Sequence, residues 1–132
     1  MKTSYFSNPL LNKEKHYVVQ ISNSVPKGYT PDAKWDEAVP IWKTIVAPYK
    51  DGIISEEEYQ TRYRRQLDVR KNELSRSLAF LKRNAGQKEI ALLCYETPHA
   101  FCHRQILAQW LKENGFETNI QEMQNSLTPS LF

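Results

Sequence analysis

The chain has 132 residues, a formal net charge of +3, 40% hydrophobic and 25% charged residues. That length fits one domain, expected over 1–132 with a core at 16–123 and peripheral termini at 1–15 and 124–132, and that composition is ordinary for a soluble fold. No apolar run reaches the ~18 residues a bilayer span requires, and the start lacks the apolar stretch of a secretory signal, so a cytoplasmic protein with reduced cysteines and no membrane partner is expected.

Taken in chain order, residues 1–15 are polar apart from Leu10 and Leu11 and are expected to pack loosely or form an edge. Tyr17, Val19 and Ile21 alternate within a run of strand formers, which predicts a strand over about 17–22. Pro26 and Gly28 turn the following stretch into a loop bearing Ser22, Ser24 and Lys27. Thr30, Pro31 and Asp32 have the chemistry of a helix start. Trp35, Val39, Trp42 and Val46 then recur at helical spacing, with Pro40 kinking or splitting the segment. Ser55 and Glu58 form a capping box for the next helix. Its apolar stripe runs through Tyr59, Tyr63, Leu67, Leu74, Leu78 and Leu81, with a break expected near 72–75 and a cap at Gly86. Residues 89–94 are apolar on both sides, as in a central parallel strand. A helix follows, beginning at Pro98 or near Cys102 and stopping at Gly115, and a third strand is expected within 116–123.

Helices between the first two strands favour parallel pairing. The fold class expected is therefore α/β, a small mostly parallel sheet covered by helices. In such sheets the site lies beyond the carboxyl ends of the strands. That brings the Ser22 to Lys27 loop to the same edge as the stretch Cys94-Tyr95-Glu96-Thr97-Pro98-His99-Ala100-Phe101-Cys102-His103-Arg104, which holds both cysteines and two of the three histidines.

Within that stretch Cys102 is the candidate nucleophile, because helix-terminal amides and neighbouring cations lower a thiol's pKa. The alternative is a packed structural cysteine, and Cys94 has the same two readings. Glu96 and His103 are candidate proton carriers, with an ion pair to Arg104 as the alternative role of Glu96. Arg104 with Lys27 forms a candidate anion clamp, and Ser22 and Ser24 supply neutral donors or satisfy their own loop. Cys94, His99, Cys102 and His103 have zinc-ligand chemistry, but seven residues separate the cysteines, so no metal is expected. No glycine-rich phosphate loop or nucleotide fingerprint occurs, and no cofactor is expected. Nine basic residues fall within 62–88 against Asp68 and Glu73, which leaves open a phosphate-binding helix face.

Ile21-Ser22-Asn23-Ser24-Val25-Pro26-Lys27-Gly28-Tyr29 and the stretch from Leu92 to Arg104 resemble the domain of unknown function 488 family. The likeness covers roughly 16–115, and residues 47–67, with Tyr49, Tyr59 and Tyr63 as supporting residues, resemble its short members. The resemblance implies an α/β fold and a site at Ser22, Ser24, Lys27, Cys94, Glu96, Cys102, His103 and Arg104, without naming a reaction. The aspartate-arginine motif of some longer members is absent after the first strand. Three functions follow as expectations. The first is a small enzyme acting on an anionic, phosphate- or nucleotide-like substrate. The second is a nucleic-acid or protein-binding module using the basic helix. The third is a redox sensor in which Cys94 and Cys102 bond reversibly.

Overall fold

The computed structural model describes residues 1–95 and 101–125. Five strands form one sheet: β1 (Lys2–Tyr5), β2 (His16–Gln20), β3 (Ala33–Lys34), β4 (Glu89–Cys94) and β5 (Gln121–Glu122). Their order is β3-β2-β4-β1-β5, and every pairing is parallel. The helices are α1 (Ala47–Lys50), α2 (Glu56–Val69), α3 (Lys71–Ala85) and α4 (His103–Glu113). An α/β architecture with a parallel sheet is thus what the chain adopts.

The order of the strands explains how the sheet is covered. Two connections, 6–15 and 21–32, move towards the β3 edge and contain no helix; the two that return carry the helices. Right-handed crossovers place oppositely moving connections on opposite faces. The packing agrees. Val19, Ile21, Ile90, Leu92 and Cys94 share a core with Tyr63, Leu67, Leu74, Leu78, Leu107, Trp110 and Leu111 of the helices. Val18, Ala91 and Leu93 alternate onto the other face, under Phe6, Leu11, Val25 and Tyr29 of the loops.

Several local expectations are corrected. The chain's start is not peripheral: β1 lies between β4 and β5, and Thr3, Ser4 and Tyr5 are buried. Its core-facing groups are hydroxyls satisfied by polar partners, with Thr3 donating to Glu122 at 2.7 Å and Asn8 donating to Ser4 at 2.9 Å, so no apolar alternation marked it. No helix starts at Thr30. Instead Asp32 accepts from the Val18 amide at 2.7 Å and donates its own amide back to Val18 O at 2.8 Å, docking β3 beside β2. Pro40 splits the following segment into a 3-10 turn at Asp36–Ala38 and a π-helix at Trp42–Val46, and Trp42 faces outwards, half exposed. Pro48 lies in the first turn of α1. The break in the long helix falls at Arg70, earlier than expected. Ser55 caps α2, accepting from the Glu58 amide at 3.1 Å, and Gly86 closes α3 at φ 61°.

Leu92 is fully buried on the central strand, whereas Val69 is 78% exposed. Leu92→Ala is expected to cost about 2–5 kcal/mol in urea denaturation and Val69→Ala within about 0.5 kcal/mol.

Candidate functional site

All strands being parallel, their carboxyl ends share one edge. There β2 is followed by a connection moving one way and neighbouring β4 by one moving the other way, which opens a crevice between them. A cleft of about 100 Å³ lies in it. Ser22, Asn23 and Ser24 after β2 form one wall. Tyr95, Phe101, Cys102 and His103 after β4 form the other. Pro40, Trp42, Val46, Tyr49, Lys50 and Tyr59 close its outer side.

His103 ties the two walls together. Its Nε2 lies against the Ile21 carbonyl, which can only accept, so Nε2 carries the proton and Nδ1 is left as the acceptor. Nδ1 stands 3.8 Å from Cys102 Sγ. Burial lowers the His103 pKa to about 4; the Ile21 hydrogen bond pulls the other way and the Arg104 charge adds to the depression. The ring is therefore neutral at pH 7. Tyr63 packs edge-on against it with centroids 5.8 Å apart.

Cys102 is the N-cap of α4, with extended backbone angles, φ −150° and ψ 143°. Of the two starts expected for this helix, the later one is found. The residue therefore stands at the positive end of the helix dipole, although its sulfur makes no hydrogen bond to the first-turn amides. Cys102 and Cys94 are joined as a disulfide, the pairing of the redox expectation, because the topology sets the end of β4 against the start of α4.

Arg104 is fully buried. Its Nε donates to Glu122 at 3.0 Å and its Nη1 to Cys94 Sγ at 2.9 Å. Glu122 had no signal in the sequence beyond its place in an expected strand. It meets Arg104 because β5 pairs with β1 at the Thr3 register. Lys27 is not on the cleft; it lines a separate depression with Phe6, Pro26 and Tyr29 on the loop-covered side. Lys50 is the lysine that borders the cleft. Ser22 donates to Ser24 O at 2.6 Å, satisfying its loop while lining the wall. Tyr49 and Tyr59 line the cleft, whereas Tyr63 is a core residue donating to Ala38 O, its phenol pushed well up by burial. Glu96 and His99 lie outside the described residues. Among the described residues no group of three or more His, Cys, Asp or Glu is gathered as a metal site.

The basic helices find acids beyond their own span. Arg62 pairs with Glu58 at 2.9 Å, Arg64 with Glu113 at 2.8 Å and Lys82 with Glu117 at 2.9 Å, while Arg76 sits 3.9 Å from Glu73. These pairs reduce the field that the sequence alone suggested. No helix among the described residues is long and apolar enough to cross a membrane.

Removing Glu122 leaves a buried guanidinium short of its carboxylate. Glu122→Gln is expected to cost about 2–4 kcal/mol, against about 0–1 kcal/mol for Glu58→Gln in the exposed Arg62 pair, as read by urea denaturation. The depressed His103 pKa has a definite sign. The unfolded chain takes up a proton near pH 6.5 while the folded chain does not until about pH 4. The stabilisation is complete above about pH 6.5 and is lost as pH falls towards 4, on the order of 3 kcal/mol in all. Urea titrations at pH 7 and 4.5 should show His103→Gln lacking that part of the loss.

Residues 13–115 match the family model described as DUF488-N3a, the active DUF488-N3 subclade. No curated protein and no solved structure matches the chain. The match takes in the cleft's two walls, Cys94, Cys102, His103 and Arg104, and leaves β1 and Glu122 outside it. With more than half its length matched, and the resemblance carried by the cysteine-histidine-arginine run thereby confirmed, the chain belongs to the DUF488-N3a family.

Proposed function

We propose that the chain is a thiol-dependent enzyme that takes a small anionic substrate into the cleft between the ends of β2 and β4, with Cys102 as the reacting sulfur. The observation carrying this reading is the position of Cys102: it caps α4, borders the cleft, and has the acceptor nitrogen of a neutral imidazole 3.8 Å from its sulfur. In the reduced protein, helix amides and dipole favour the thiolate, and His103 Nδ1 accepts the proton it releases. The Cys102 sulfur then attacks an electrophilic centre of the substrate and the leaving group departs with its electron pair. Lys50 at the cleft rim and the first-turn amides of α4 suit a negative charge on the substrate. Arg104 acts on sulfur rather than on substrate, since its Nη1 reaches Cys94 Sγ at 2.9 Å and favours the charged form of that thiol. Glu96 is the further proton carrier in this scheme.

A second reading is favoured by one observation, the bond between Cys94 and Cys102. Here the two thiols are a redox pair: oxidation joins the sulfurs with loss of two protons and two electrons to a peroxide or disulfide oxidant, and a thiol reductant restores them. A cytoplasmic setting would keep the pair reduced and Cys102 available, which makes this a switch on the enzyme as readily as a function by itself.

The two readings separate by experiment. In reduced Cys94→Ser protein, Cys102 is expected to alkylate with iodoacetamide at a midpoint well below the ~8.5 of a free thiol, and His103→Gln to move that midpoint upward. An ordinary midpoint, or no reaction in the folded protein, removes the nucleophile. Retention of both thiol hydrogens after mild peroxide, seen by intact mass, removes the redox pair.

A further inference from the structure

The chain has three tryptophans, and they are treated very differently. Trp35 and Trp110 are 1% exposed and each donates its indole N–H to a side chain, Ser77 and Asp68 respectively. Trp42 is 50% exposed and lies on the outer side of the cleft. Leaving half of so large an apolar surface in water forfeits burial that the other two indoles obtain. It is held there by a π-helix, whose wider turn shows in the Val46 amide donating to Ile41 O at 3.2 Å. Such turns are rare and are frequently found at functional sites. Lys50 Nζ stands 5.4 Å from the centre of the Trp42 ring, so a cation and an aromatic platform are presented together.

Aromatic packing continues into the cleft. Tyr49, Tyr59 and Phe101 pack against one another with centroids 5.1–5.3 Å apart, which makes that wall stiff as well as aromatic. Across from them Asn23 donates Nδ2 to Pro40 O at 3.0 Å, which fixes an amide of the polar wall. The volume, about 100 Å³, is far below the ~300–1,000 Å³ of sites that engulf a whole drug-sized ligand. Such a cleft takes one group of a ligand and leaves the remainder outside. Aromatic walls suit a flat conjugated group, an amide-fixed edge suits one with ring heteroatoms, and Lys50 suits an anionic group attached to it.

We infer that the cleft binds the base of a nucleotide, stacked against Trp42, with the phosphate turned to Lys50. This rests on the cleft being the substrate site and gives that substrate a chemical class. A free mononucleotide and a base within a single strand share this chemistry. Stacking on an aromatic side chain tolerates any base, so the site is expected to discriminate weakly among them.

The buried Trp35 and Trp110 make the test direct, because a small quencher in the cleft reports on Trp42. Reduced protein is titrated with AMP, GMP, CMP and UMP, with an oligothymidine, and with ribose 5-phosphate as the compound lacking a base. Saturable quenching is expected with the mononucleotides and none with ribose 5-phosphate. By calorimetry, Trp42→Leu should weaken binding about tenfold or more, and Lys50→Gln should weaken it and flatten its salt dependence. Both residues are solvent-exposed, so melting temperatures close to the parent's are expected and serve as the control for folding. Saturable binding of the oligothymidine alone, lost in Trp42→Leu, supports the inference with the base in a strand as its source. Absence of saturable binding by every nucleotide and by the oligothymidine overturns it, as does equal affinity for ribose 5-phosphate or unchanged affinity in Trp42→Leu. The alkylation midpoint of Cys102 is measured without nucleotide, so the thiol mechanism and the base-binding inference fail separately.

Discussion

The interaction on which the rest depends is the burial of one guanidinium. Arg104 has no exposed surface, and a charge in that position requires opposing charge or strong acceptors within reach. Glu122 on β5 supplies the charge and is held in turn by Thr3 of β1, while Nη1 also reaches Cys94 Sγ on β4. One side chain on α4 thereby fixes the helix to three neighbouring strands. An apolar side chain of the same volume would fill that space without the cost of desolvation. A guanidinium there is instead held by polar partners on the strands beside it.

The position of α4 then determines the cleft. His103, one residue before Arg104, reaches across to the Ile21 carbonyl and links the late helix to the loop after β2. Chain segments some eighty residues apart become two walls of one crevice, with Cys102 between the imidazole and the helix terminus. The divergence of the connections after β2 and β4 leaves that crevice open.

Much of this was legible in the residues. Apolar runs marked β2 and β4, Ser55 and Glu58 marked the start of α2, and the parallel arrangement brought the serine loop and the cysteine stretch to one edge. What escaped was structure made by polar pairs and by distance. β1 buries hydroxyls, so it has no hydrophobic period. β3 is docked onto β2 by flanking bonds, two between Asp32 and Val18 and one from the Trp35 amide to Gln20 O. Glu122 meets Arg104 only because of strand order, and Glu113 and Glu117 neutralise helix cations that their own sequence neighbours do not oppose. Lys50 came to the cleft instead of Lys27 because the loop after β2 turns to the other face of the sheet before it reaches Lys27.

The margins of the sheet have a consequence of their own. Among the described residues its outermost strands, β3 and β5, are two residues each, Ala33–Lys34 at one border and Gln121–Glu122 at the other. A border so short offers few open backbone groups to an incoming strand, and Lys34 on β3 disfavours a flush approach. Growth of the sheet from molecule to molecule is thus disfavoured at the β3 border. The long, strongly apolar β4, the segment with most to gain from such pairing, is kept between β2 and β1.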